Sequence, residues 1–110
     1  MIDWSRVNEL RDEVGADDFD EVVELFLSEV EEVLSRLRNG PVAAELEQDL
    51  HFLKGSALSL GFTSFSRLCQ EGEHQSASGR AASVDVAEIL RDFDTSKATF
   101  LSNLPRHLTV

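Results

Sequence analysis

The sequence predicts an all-α protein, an up-down-up-down four-helix bundle with a short extra helix at its N-terminus. Three observations carry this. Apolar residues recur at spacings of three and four along most of the chain, the period of one buried helix face. Aspartate, serine or threonine precedes these runs and glycine or proline follows them, the punctuation of helix starts and stops. Tight-turn signals between alternating apolar residues, the mark of hairpins, are absent.

Asp3 is placed to cap a first helix through Trp4, Val7, Leu10 and Val14, with Gly15 as its stop. Asp17 or Asp18 opens the second, with acidic residues in a first turn whose dipole favours them. Its stripe is Phe19, Val22, Val23, Phe26, Val30, Val33, Leu34 and Leu37; Arg36 and Arg38 fall in the last turns and Asn39-Gly40-Pro41 breaks it. The third segment runs from about Val42 to Leu60 on Leu46, Leu50, Leu53, Ala57 and Leu60, and Gly61 ends it. Thr63 or Ser64 is the expected cap of the fourth, through Phe65, Leu68, Cys69 and Gly72, which dissolves into a Ser76-Ala77-Ser78-Gly79 loop. Ser83 and Asp85 open the last, through Val86, Leu90, Phe93, Phe100, Leu101 and Leu104, with Pro105 beyond it. Short connections between these segments favour the up-down-up-down arrangement.

A chain of 110 residues holds one core, so residues 1–110 are read as a single domain. With 21 acidic against 10 basic residues the formal net charge is -11, which repels phosphate backbones and anionic lipid surfaces. Nucleic acid and membranes are therefore not expected partners. No apolar run approaches the roughly 20 residues that span a bilayer, and no basic-then-apolar leader follows Met1. A cytoplasmic location is the expectation. The one cysteine, Cys69, reads as a small buried hydrophobe. Neither a structural metal nor another cofactor is expected.

His51 breaks the pattern of the third helix. It sits about 100° round from Leu50, towards the edge of the core stripe, with Glu47 one turn back and Lys54 and Gly55 one turn on. A glycine inside a helix costs roughly 1 kcal/mol relative to alanine; at this position it leaves room beside the imidazole for a partner's backbone. Lys54 supplies a positive charge, which suits an imidazole that carries a phosphoryl group better than a structural one.

His51-Phe52-Leu53-Lys54-Gly55-Ser56, followed by Leu60-Gly61, resembles the signature of histidine phosphotransfer (HPt) domains. Leu68-Cys69 and the acidic turn Glu71-Gly72-Glu73 resemble the family's following helix, and the helix order matches across nearly the whole chain. The resemblance implies a phosphorelay intermediate of two-component signal transduction. His51 would accept a phosphoryl group from a receiver-domain aspartate and pass it to another receiver. Lys54 would steady the phosphoryl oxygens and Gly55 would give the receiver clearance. Glu73 falls at the position from which family members bond the other ring nitrogen. The implied partners are response-regulator receiver domains, with a hybrid histidine kinase among their sources, and the implied state is a monomer. The implied role is that of a phosphocarrier and not an enzyme, with the Mg²⁺ site on the receiver. The family docks receivers around the histidine, and Leu10, Phe19 and Val23 are the residues expected to supply an apolar patch there, although periodicity alone places each of them in the core.

Two other readings compete. One is a degenerate, adaptor-like bundle of the same family without phosphotransfer. The other is a carboxylate-bridged metal bundle, prompted by the i,i+3 spacing of Glu71 and His74 but lacking a second such pair, since Glu47 and His51 are four apart. His107, beside Pro105 and Arg106, is assigned no role.

Overall fold

Helix boundaries in the computed structural model, which describes residues 1–107, mostly fall where caps and breakers put them. α1 (Trp4–Val14) starts on Asp3, whose carboxylate accepts from the Arg6 amide at 3.2 Å. α2 (Phe19–Arg38) follows Asp18 without a side-chain cap, but Asp20 and Glu21 stand at the positive end of its dipole. α3 (Ala43–Leu60) ends on Gly61, whose φ of +79° is left-handed backbone. A Cβ at Gly61 would also lie 2.6 Å from the Asp3 carbonyl oxygen, so any other residue there meets both strain and a clash. α4 (Thr63–Ala77), a 3₁₀ turn (Ala81–Ser83) and α5 (Val86–His107) complete the order. Asp85 caps α5, accepting from the Glu88 amide at 3.0 Å. The His107 side chain lies outside the described ones.

Four expectations are corrected. Thr63 and Ser64 do not cap α4; Phe62 holds the N-cap position and no side chain bonds there. Their hydroxyls serve other segments: Thr63 Oγ1 donates to the Met1 carbonyl at 2.7 Å, and Ser64 Oγ donates to Asp92 at 3.1 Å. Residues 1–3 thereby lie antiparallel to 61–63, around a single Ile2–Phe62 bridge. α4 also runs on through Ser76 and Ala77, so the loop is shorter than expected. Pro105 stands inside α5, where it removes one hydrogen bond to the Leu101 carbonyl. Leu101 and Pro105 are both exposed. Finally, α5 buries Ile89, Phe93, Ser96 and Phe100, a strict 4-3-4 spacing that leaves Leu90 half-buried and Leu101 exposed.

The core is continuous through the bundle. Phe62 meets Phe93 and Phe100 with ring centroids 6.1 and 5.3 Å apart, and Phe65 meets Phe93 at 5.3 Å. Trp4 lies flat against Phe100 at 5.8 Å and 4°, tying α1 to α5. On α2, Leu27 joins the buried stripe while Val22 and Phe26 are half-buried. The molecule measures 47 × 21 × 20 Å, its short dimensions about two helix diameters. Among the described residues there are five α-helices and no strand. Arg36–Asp49 joins α2 to α3, and Arg38–Asp94 and Lys97–Glu31 join α2 to α5. Such partly exposed pairs contribute at most about 1 kcal/mol each.

α3 packs most extensively on α4, and Gly72 is a reason for it. A Cβ at Gly72 would lie 2.8 Å from Leu50 Cδ1 and 3.2 Å from Val84 Cγ1. Bare backbone there lets the two helices close, directly beside Glu73.

Candidate functional site

Leu50 and Leu53 are completely buried, and they set the rotation of α3. His51 is consequently turned to the surface, with 68 % of its side chain exposed. Gly55 lies one turn further along the same face. A Cβ built on it meets nothing within 4 Å, so packing does not call for glycine there. The propensity cost of roughly 1 kcal/mol is offset by no contact inside the protein, and what the glycine leaves is open space next to the imidazole.

The second helix of the site is α4. Glu73 Oε2 lies 2.7 Å from His51 Nδ1, and its Oε1 lies 2.8 Å from Lys54 Nζ. One carboxylate, 19 % exposed, therefore bridges two residues of the neighbouring helix. Its contact with Lys54, and secondarily its hydrogen bond with His51, hold the Glu73 carboxyl below its ordinary value of 4.5, against the opposing effect of partial burial. An ionised carboxylate has no proton to give, so Nδ1 is the donor and the ring's lone pair is left on Nε2. An imidazole held this way has its tautomer set and its orientation held, an arrangement that can act as a nucleophile through Nε2.

The structure brings His51, Lys54, Gly55 and Glu73 together. Lys54 is held on Glu73 rather than standing alone beside the ring. Leu10, Phe19 and Val23 are a different matter: they are 5 %, 2 % and 5 % exposed and belong to the core. The expectation that they form an accessible apolar patch is corrected, because the bundle needs those side chains to seal α1 and α2 onto the other helices. Exposed apolar side chains occur instead on α3 itself, at Phe52 (39 %) and Leu58 (57 %). Leu58 is seven residues beyond His51 and so nearly in line with it along the helix. Gln48 lines the cleft that holds His51 and Glu73, and also an adjoining cleft formed by Val33, Arg36, Glu45, Asp49 and Phe52. The available signal was that Phe52 and Leu58 are apolar residues off the core stripe of their helix.

Cys69 is fully buried, and burial first, then Asp92 and Glu73, push its thiol up to about 12. It is a packing residue with no thiolate to offer at neutral pH. Glu71 and His74 find no further ligands: among the described residues no group of three or more His, Cys, Asp and Glu side chains is arranged to hold a metal. Nor is any helix, among those residues, long and apolar enough to cross a membrane.

A family model described as Hpt domain matches residues 21–108, from the first turn of α2 through α5. No curated protein and no solved structure gives a significant match to the chain.

Proposed function

The chain belongs to the Hpt domain family, and we propose that it accepts a phosphoryl group on His51 from the aspartate of one receiver domain and passes it to another. Hpt domains carry out histidine phosphotransfer in phosphorelays and interact with receiver domains; they are phosphocarriers rather than enzymes. One observation supports His51 as the acceptor above all. It is an exposed histidine whose Nδ1 is engaged by Glu73 at 2.7 Å, which leaves Nε2 as the nucleophile.

In this reading Nε2 attacks the phosphorus of an aspartyl phosphate in line with the departing carboxylate. Mg²⁺ and the acidic pocket that offset charge in this step belong to the receiver. Lys54 steadies the phosphoryl oxygens, and Glu73 holds the ring. The open space at Gly55 admits the receiver's backbone, and Phe52 and Leu58 supply the apolar contacts first sought at Leu10, Phe19 and Val23. The protein acts as a monomer in the cytoplasm, as one up-down-up-down domain, with α1 alongside the four bundle helices.

The test is transfer from a phosphorylated receiver, with Mg²⁺, to the wild-type protein and to His51→Gln. Wild type takes label and the variant takes none. Equal labelling of both, or none of the wild type with any receiver of the source organism, would falsify the reading and leave the degenerate adaptor in its place.

A further inference from the structure

We propose that Glu73 keeps His51 Nδ1 protonated after Nε2 has taken up a phosphoryl group, so that the phosphohistidine is held in its transfer-ready, short-lived form. This rests on the reading of His51 as the phosphoryl acceptor. The balance of the step shows what is at stake. The Nε2 lone pair forms the N–P bond, the P–O bond to the aspartyl group breaks, and the carboxylate departs with that electron pair. The ring retains its Nδ1 proton and gains a positive charge.

Two fates are then open. If the proton is lost to water, the ring becomes neutral, and breaking the N–P bond must expel an imidazolate, a very poor leaving group. If the proton stays, neutral imidazole leaves, and transfer or hydrolysis is rapid. Glu73 decides between them. Its Oε2 sits 2.7 Å from Nδ1, close enough to pair directly with the ring charge. Lys54 on Oε1, at 2.8 Å, keeps this carboxylate ionised and therefore an acceptor only.

Of the carboxylates near the ring, Glu73 is the one hydrogen-bonded to it. The charged groups lining the cleft that holds the ring are Glu47 on α3 and Glu73 on α4, and a neighbouring cleft that shares both adds Lys54 and His74. The nearest charges towards α2, Arg36 and Asp49, lie beyond Gln48 and pair with each other at 2.9 Å. The 3₁₀ turn Ala81–Ser83 brings none. A glutamine at 73 would not discriminate, because its amide can accept from a protonated Nδ1 or donate to a bare one.

The experiment loads the full chain with phosphoramidate, a small phosphoryl donor that needs no receiver. Loss of the phosphoryl group from wild type and from Glu73→Gln is then followed by ³¹P NMR across neutral and alkaline pH. Rapid loss should persist to a pH about one unit higher in wild type, which is about tenfold faster loss on the alkaline side. ¹⁵N spectra of the phosphorylated proteins should retain Nδ1–H in wild type at a pH where the variant has lost it. Superposable profiles with equal ring protonation overturn the proposal. So does failure of phosphoramidate to label wild-type His51, since an exposed Nε2 lone pair must react. Separated profiles without transfer to any receiver would leave this inference standing and remove the relay reading. Transfer with superposable profiles would do the reverse.

Discussion

Glu73 on α4 reaches His51 on α3 at 2.7 Å, so the tautomer of an exposed histidine is decided by the helix beside it. Three of the site's four side-chain and backbone features lie on α3 within five residues, yet the fourth depends on how closely α4 packs. That closeness rests on Gly72, whose missing Cβ would meet Leu50 and Val84.

The two glycines inside these helices should respond oppositely to alanine. At Gly55 a methyl group meets open space, so Gly55→Ala should stabilise the fold by about 1 kcal/mol and raise the thermal midpoint by roughly 4–8 °C. Gly55→Gln should also fold and yet slow phosphoryl transfer, because its bulk occupies the clearance. Gly72→Ala should lower the midpoint, since overpacking against a buried leucine costs about 1–3 kcal/mol, more than the helix propensity returns. Thermal melts followed by circular dichroism, paired with transfer rates, read all three.

Lys54→Ala should slow transfer into His51 without unfolding the protein. A charge-assisted hydrogen bond of about 1.5–3 kcal/mol to a phosphoryl oxygen corresponds to a loss of roughly ten- to a hundredfold in rate. Rapid-quench time courses with a phosphorylated receiver give the number, and Lys54→Arg should recover part of it. An unchanged rate would mean that Lys54 serves Glu73 alone.

Acid should weaken the fold partly through Glu73. Its carboxyl is more acidic in the folded protein than its ordinary value of 4.5, so on acidification the unfolded chain takes up the proton first. The contribution is complete above that ordinary value and is lost as the pH falls below it, through the lower folded value. Glu73→Gln should therefore flatten the acid limb relative to wild type while leaving the difference between the two constant near neutrality. Urea midpoints over a pH series compare the slopes; parallel acid limbs would show that the ion pair with Lys54 adds nothing to folding.

Docking should depend on the apolar side chains of α3. Leu58→Asp places a charge on the face that carries His51 and Phe52→Asp places one in the adjoining cleft, and each should weaken receiver binding by roughly tenfold or more with little change in thermal midpoint. Leu25→Asp, on α2, is the control: Leu25 is also exposed but lies off α3. Calorimetric titration with an unphosphorylated receiver separates them, and equal losses at all three positions would argue against a localised interface.

Much of the fold could be read from local chemistry. Asp3 and Asp85 cap, Gly61 stops, and the leucines of α3 fall on one face, because these are decided within a turn or two of helix. His51, Lys54 and Gly55 were legible for the same reason. What escaped was set by tertiary neighbours. Thr63 and Ser64 look like caps until residues 1–3 and α5 claim their hydroxyls. Phe19 looks available at a helix start until the rest of the bundle closes over it. The reach of Glu73 to both His51 and Lys54 is a property of two helices at once, and the resemblance pointed to only half of it.

Trp4 has a practical consequence. The chain contains one tryptophan and no tyrosine, and that tryptophan is stacked on Phe100 where α1 meets α5. At wavelengths beyond the phenylalanine band, absorption and emission of this chain therefore come from a single chromophore at the seam between the leading helix and the last one. Any event that lifts α1 off the bundle will announce itself optically, without a label, whereas contacts made on the His51 face of α3 can be followed only if they are transmitted to that seam.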